Sequence, residues 1–317
     1  MNRSQTAWKD LRRYYDVLFP IVWPILERFI TQDGRYHLRQ CELSPRWEKG
    51  NGTVMARSHT FETSEEVITY CQKTLPDTLQ LGGIVPDFNH EWDRMKRNRD
   101  MCSTIATGYG PIVFDIDMND YARDGICPCL DQKKVCNRCF TILGDSSRKV
   151  IHYLMEEIFG MSDIIDVYSG KRGFHVWVCC ERAMRMTKDE RTTLIKRLAS
   201  PILNEGISDD IYREILLPVA RSYPNVFDKC DKATLMQRLY PKFDVGVTTD
   251  ACHPKKLPLM PHQQTRYVAV ILDPNREFLP EDHWCHIGQM SQGTYRRFAT
   301  ALESFMNKQK KRVKLDE

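Results

Sequence analysis

The sequence predicts a mixed α/β fold, with β-sheets flanked by helices, a small helical insertion and a cysteine-bearing loop. Three observations carry that expectation. The apolar run Pro111-Ile112-Val113-Phe114-Asp115-Ile116-Asp117 reads as a strand that ends in two carboxylates. Two further strands, Ile164 to Tyr168 and Phe174 to Cys179, flank the short turn Ser169-Gly170-Lys171-Arg172-Gly173. Helical patterns surround them, with Val150, Ile151, Leu154, Met155 and Ile158 at helical spacing inside 145–159.

In chain order, residues 6–31 read as helical, with Trp8, Leu11, Tyr15 and Leu18 on one face and Pro20 and Pro24 as interruptions. Thr53 to Phe61 and Leu81 to Val85 read as strands. Thr187-Lys188-Asp189-Glu190 has the form of a capping box and opens a helical stretch reaching about 240. Strands are expected again at Phe243 to Val247 and Arg266 to Leu272, then a last helix over 294–306. The expected organisation is one core, 1–184 with 242–306, a helical subdomain over 185–241, and a basic tail over 307–317. Two independently folding domains are the alternative.

At 317 residues the chain can bury a sizeable core. No apolar run is long enough for a membrane helix, and the polar opening to Trp8-Lys9-Asp10 is not expected to be a secretory signal. A net charge of +4 does not by itself announce a nucleic-acid binder, so a phosphate-binding surface would have to come from local clustering. Of twelve cysteines, four crowd between 127 and 139. Scattered thiols with one cluster indicate a metal site rather than a disulfide scaffold.

Asp115 and Asp117 are two apart on a strand and so share a face. Two such carboxylates repel unless a cation neutralises them, and oxygen donors suit Mg²⁺ or Mn²⁺. Asp-x-Asp alone also occurs on solvated edges; its apolar strand favours the metal. In Ser169-Gly170-Lys171-Arg172-Gly173-Phe174-His175 the glycines allow close backbone approach. Ser169, Lys171, Arg172 and His175 can all offer hydrogens to phosphate oxygens. A surface hairpin with routine basic residues is the plain alternative. Cys127-x-Cys129 and Cys136-x-x-Cys139 supply four thiolates, a closed tetrahedral set for a structural Zn²⁺, against reduced thiols in a loop.

Phe114-Asp115-Ile116-Asp117-Met118, then the cysteines, then Val167-Tyr168-Ser169-Gly170-Lys171-Arg172-Gly173-Phe174-His175-Val176-Trp177-Val178 resembles the small catalytic subunit of archaeo-eukaryotic DNA primases, in that family's order. The resemblance covers roughly residues 8–275. It implies a primase catalytic core with a zinc loop, and two catalytic metal ions held by Asp115, Asp117 and a third aspartate, matched by Asp244. It also implies that Ser169, Arg172 and His175 bind the incoming nucleotide's phosphates, with Lys171 where close relatives often carry arginine. His253, Lys256 and His262 fall where the family has a histidine, a lysine and a histidine. Without the family they are polar residues in a Pro-rich loop. Arg57, matched more faintly along with Tyr14 to Pro20, is a phosphate or ribose contact or else an exposed arginine.

The implied activity is that of a DNA-directed RNA polymerase of the primase type, making short RNA primers on single-stranded DNA from ribonucleoside triphosphates. The implied partners are a large iron–sulfur subunit in a heterodimer and the replicative DNA polymerase alpha complex. Lys308-Gln309-Lys310-Lys311-Arg312-Val313-Lys314 resembles a nuclear localisation signal, with a solvated basic tail as the alternative. The insertion between His175 and Asp244 is short for the family. Rival readings are a related polymerase of repair or damage bypass, a catalytically silent nucleic-acid-binding subunit, and a metal-dependent nuclease.

Overall fold

The helical pattern at the start of the chain runs through both prolines. An α-helix over Gln5–Arg13, a π-helical turn over Tyr14–Leu18 and an α-helix over Phe19–Ile30 follow one another without a break. The π turn lies just before Pro20, which has no N–H to give the preceding turn. There the Phe19 amide reaches back to the Tyr14 carbonyl. Leu11, Tyr14, Leu18, Val22, Leu26 and Ile30 recur at helical spacing and are all buried.

The computed structural model describes residues 5–49, 52–57, 59–85, 109–131, 135–198, 205–272 and 285–316. Its strands are β1 (Cys41–Lys49), β2 (Gly52–Met55), β3 (Thr78–Ile84), β4 (Ile112–Asp117), β5 (Ile164–Tyr168), β6 (Gly173–Val178) and β7 (Lys255–Lys256). The chain divides into two compact units. One comprises 1–110, 251–271 and 284–317, and the other 111–250 and 272–283. The helices between 181 and 239, expected as a subdomain of their own, fall in the second unit with β4, β5 and β6. No described helix is long and apolar enough to cross a membrane.

The first unit carries an antiparallel sheet in the order β2-β1-β3-β7. Register places Ser44 opposite Gln80 and Gln80 opposite Lys256, a polar row across three strands. The hydroxyls of Tyr14 and Tyr295 meet at 2.6 Å, and both lie against the Leu259 carbonyl, tying the first helices to the last. That last helix runs Gln292–Asp316, past the expected end at 306. The basic run falls on this helix, and its side chains from 310 onward lie outside the described ones.

Three expectations are corrected here. Of the strand expected over Thr53 to Phe61, Thr53 to Met55 form part of β2 (Gly52–Met55), and the described residues from there to Phe61 are not strand. Arg266 to Leu272 is only partly buried and forms no continuous strand, its bridges including Pro261 to Val268 and Tyr267 to His286, because Arg266 adopts φ +64° and breaks extended geometry at its start. The helix expected over 145–159 begins earlier, as Asn137–Tyr153, and ends in a π turn over Leu154–Ile158.

The second unit is built on an antiparallel sheet in the order β4-β6-β5. Alternation sorts its side chains. Asp115, Asp117, Val167 and His175 share one face, while Phe114, Asp166, Tyr168 and Phe174 point to the other. The helix Asn137–Tyr153 covers the second face, with the Phe140 ring edge-on to Tyr168 at 5.5 Å.

Asp166 is a buried acid on that covered face. Arg148 lies 3.3 Å from one of its oxygens and His152 3.2 Å from the other. Burial pushes its carboxyl up, but the hydrogen bond and charge of His152, with Arg148, outweigh burial and hold it below the usual carboxylate range. Burial pushes His152 down, but the Asp166 hydrogen bond and charge, with Glu156, leave it raised. The depressed Asp166 stabilises the fold above its unfolded pKa of ~4, and that contribution is lost as pH falls through the lower folded value. The raised His152 contributes fully below its unfolded pKa of ~6.5, and that contribution is lost as pH rises through the higher folded value. Asp166→Asn is expected to cost roughly 2–4 kcal/mol, because it removes the fully buried partner of Arg148 and leaves only Asp145, at 3.4 Å and partly exposed, to balance its charge. Melting curves at stepped pH should show the wild type losing stability above neutrality where the variant changes little.

Candidate functional site

The β4–β6 ladder brings the sequence-predicted residues of the second unit together. Asp115 stands opposite His175, and Asp117 opposite Gly173. The His175 Nε2 is 3.6 Å from an Asp115 oxygen, and the Arg172 Nη2 is 3.3 Å from an Asp117 oxygen. Both aspartates are nearly half exposed, while His175 is mostly covered. The carboxylates therefore face solvent from the end of a buried strand.

The turn between β5 and β6 is held by Ser169. Its amide donates to the Gly173 carbonyl at 2.9 Å, and its hydroxyl oxygen accepts from the Gly173 amide at 3.1 Å and the Lys171 amide at 3.4 Å. Two glycines are required here. Gly170 has φ +82°, in the left-handed region, and a Cβ on Gly173 would sit 1.9 Å from the Ile116 carbonyl oxygen. The Met118 amide donates to the Arg172 carbonyl at 3.1 Å, fastening the turn to the segment after Asp117. Arg172 Nε is buried and has no hydrogen-bond partner among the described residues, a donor that an incoming oxygen would satisfy.

Asp244 joins this group from another part of the chain, and its expected strand is a correction. Val245–Thr249 is a short helix and Asp244 is its N-cap, the carboxylate accepting from the Val247 amide at 3.1 Å. The aspartate can accept from the first turn's unpaired amides, and that outweighs the β-branched pattern of Val245 and Val247. The Asp244 amide donates to the Asp115 carbonyl at 3.0 Å, and Phe243 packs edge-on against Phe114 at 5.1 Å.

A further acid, Asp120, was not singled out by sequence. It lies on the 3₁₀ turn Met118–Tyr121 that Asp117 caps. Its carboxyl is raised, first by burial and then by the negative charges of Asp117 and Asp115, with Lys242 opposing and Asp244 adding. Four acids thus share one local field, the condition in which a bound cation lowers the energy most. The signal in the sequence was the spacing Asp117-x-x-Asp120.

Cys127, Cys129, Cys136 and Cys139 form a group whose ligand atoms all lie within 4.8 Å of one another. Four of the six Sγ–Sγ separations run from 3.2 to 3.7 Å, too long for a disulfide and close to the edges of a tetrahedral thiolate site. The cluster could hold a metal ion such as zinc. Burial pushes the Cys136 thiol up, but hydrogen bonds from the Cys139 backbone and the other three thiols bring it down to about 7. Cys136 also caps Asn137–Tyr153, so the cluster forms the start of the helix that covers the sheet.

Arg57, His253, Lys256 and His262 fall in the first unit, whereas the aspartates and the Ser169–His175 turn fall in the second. Arg57 pairs with the buried Glu42 at 2.7 Å and donates to the Cys252 carbonyl at 3.0 Å. Lys256 lies on β7, largely buried. His262 accepts at Nδ1 from the amides of Gln264 and Thr265, so its proton is on Nε2. His253 is exposed and gives its carbonyl to Lys255.

The DNA primase small subunit family matches residues 114–274. A DNA primase small subunit of Saccharomyces cerevisiae is 30% identical over 141 residues, 44% of this chain and 32% of that protein. One from Caenorhabditis elegans is 28% identical over 195 residues, covering 60% and 43%. One from Drosophila melanogaster is 34% identical over 133 residues, covering 42% and 28%. The chain thus spans less than half the length of these relatives. The polymerase domain of Mycobacterium tuberculosis ligase D in complex with DNA aligns at a TM-score of 0.40 and 10% identity over 92% of this chain and 88% of that one, too remote to argue from. The family match runs from the strand bearing Asp115 and Asp117, through the cysteines and the Ser169–His175 turn, to beyond Asp244, and the chain belongs to the DNA primase small subunit family.

Proposed function

We propose that this chain synthesises short RNA primers on a single-stranded DNA template, as the catalytic subunit of a primase. The observation that carries the reading is the pairing of β4 with β6. That pairing sets the Asp115–Asp117 acids directly beside the Ser169–His175 turn in a chain of this family. The shared acidic field fits divalent cations, and the buried Arg172 Nε fits a phosphate oxygen. Asp115, Asp117 and Asp244 would hold two Mg²⁺ or Mn²⁺ ions, which when bound activate a 3′-hydroxyl and neutralise charge on departing pyrophosphate.

The chain's own groups supply position and charge. Arg172 turns its fork towards triphosphate oxygens, and Ser169, whose hydroxyl oxygen accepts from two backbone amides, is assigned to the same phosphates. Lys171 adds a point charge, and His175 donates from its ring. Lys256 and His262, with His253 and Arg57, are assigned to the same triphosphate on their order in the sequence alone. Arg172→Lys keeps the charge and loses the fork, and is expected to raise the nucleotide KM about tenfold while lowering kcat less.

The four thiolates would hold a structural zinc. The reading further assigns a large iron–sulfur subunit and a replicative DNA polymerase alpha complex as partners, and a nuclear location from the basic run after 307.

The test is de novo synthesis on pyrimidine-rich single-stranded DNA with labelled ATP or GTP and Mn²⁺ or Mg²⁺. Dinucleotides and longer products starting without a primer are expected. Extension of a supplied primer without de novo starts would point to a repair polymerase. No incorporation by folded, zinc-loaded protein, alone or with a large subunit, would overturn the reading in favour of a silent binding subunit.

A further inference from the structure

Asp117 and Asp244 lie far apart in sequence, and a single buried phenol links the segments that carry them. Asp117 caps the 3₁₀ turn Met118–Tyr121, accepting from the Asn119 amide at 2.9 Å, so Asp117 and Tyr121 are the two ends of one turn. The Tyr121 side chain is fully buried. Its hydroxyl oxygen accepts from the Lys242 amide at 2.7 Å, lies 2.9 Å from the Ser147 hydroxyl and 3.3 Å from the Tyr240 carbonyl. Ser147 belongs to the helix Asn137–Tyr153, which lies against the sheet. Lys242 stands two residues before Asp244. Its ammonium is 5.1 Å from the Tyr121 ring centroid and bonds both the Asp124 carboxylate and the Asp120 carbonyl. The Lys242 amide that meets Tyr121 and the Asp244 amide, itself bonded to the Asp115 carbonyl, are two residues apart.

We propose that Tyr121 is a positioning residue for the cation site, its hydroxyl setting the separation between the Asp115–Asp117 pair and Asp244. The inference rests on the reading of the aspartates given above. Without the hydroxyl the Lys242 amide loses its buried partner, and the 240–244 segment is free to settle at another distance from β4. Groups that orient metal ligands without touching the metal typically change affinity by about 10–100-fold when altered. Tyr121→Phe is therefore expected to weaken cation binding about tenfold.

The experiment measures Mn²⁺ binding to the full zinc-loaded chain, without nucleotide, from the electron paramagnetic resonance of the free ion. Wild type, Tyr121→Phe, Tyr240→Phe and Asp115→Ala are compared, with a melting curve for each. Tyr240 is the control. Its hydroxyl bonds the Leu198 carbonyl at 2.9 Å in the same buried region, while only its backbone carbonyl, which Tyr240→Phe keeps, meets the Tyr121 hydroxyl. The expected result is a Kd for Mn²⁺ raised about tenfold in Tyr121→Phe and unchanged in Tyr240→Phe, at comparable losses of melting temperature. Equal affinity in wild type and Tyr121→Phe, or equal shifts in the two tyrosine variants, would overturn the proposal. Should Asp115→Ala bind Mn²⁺ as wild type does, the reading of the aspartates falls first and takes this proposal with it.

Discussion

Asp115→Asn is expected to lower nucleotide incorporation on the order of 10³-fold or more, with the fold intact. Two features set that size. Asp115 shares its strand face with Asp117, and its carbonyl receives the Asp244 amide, so it stands at the centre of the acidic group. The substitution keeps the shape and the backbone bonds and removes only the negative charge a cation would need. Stability should respond in the opposite sense to activity. The carboxyl of Asp120 is raised first by burial and then by the charges of Asp117 and Asp115, and removing one of those charges relieves that part of the repulsion. A melting temperature unchanged or about 1–2 °C higher is expected, together with loss of synthesis in the same preparation. Near-normal incorporation by the variant would refute the metal assignment, and a large fall in melting temperature would mean that Asp115 serves the fold.

Cys136→Ser is expected to do the reverse, striking stability first. Four thiolates on a structural zinc contribute an apparent 10–16 kcal/mol at pH 7, as much as a typical domain's whole stability. Cys136 is both a ligand candidate and the cap of the helix Asn137–Tyr153, whose buried Phe140, Leu143, Val150 and Ile151 form much of the second unit's core. Losing the ligand should therefore unravel the helix start as well as the loop. A fall in melting temperature of more than ~10 °C is expected, with zinc lost from the purified protein by mass spectrometry. Chelation of the wild type should reproduce the effect, more readily as pH falls and protons compete for the thiolates. A metal-free protein with the wild-type melting temperature would show the four cysteines to be ordinary reduced thiols.

Much of the site was legible because its residues sit close together in sequence on elements with strong local patterns. The Ile112–Asp117 strand, the Ile164–Tyr168 and Gly173–Val178 pair and the turn between them needed only alternation and glycine to be read. What failed did so for physical reasons. β1 escaped notice because Pro45 and four charged residues, Glu42, Arg46, Glu48 and Lys49, obscure a strand whose Cys41 and Leu43 point inward. Phe243 to Val247 was read by its β-branched residues, whereas Asp244 found amides to cap and the chain coiled instead. The early start of Asn137–Tyr153 was hidden in the cysteine motif, which was read as loop although its last thiol already lies on the helix. Tyr121 matters through Lys242, 121 residues away, which no local pattern reports, whereas Asp120 stands in the field of the nearby Asp117 and Asp115.

The placement of Cys136 and Cys139 at the head of that helix bears on how the chain acquires its structure. Starting a helix is its least favourable step, with a nucleation constant on the order of 10⁻³. Here the first turn is also half of a four-thiolate group that could hold a metal ion, and with an ion bound its capture and the initiation of the helix would be one event. The rate at which the second unit folds should then follow the concentration of available metal. If that metal is zinc, zinc shortage would show as accumulation of unfolded chain before any other defect.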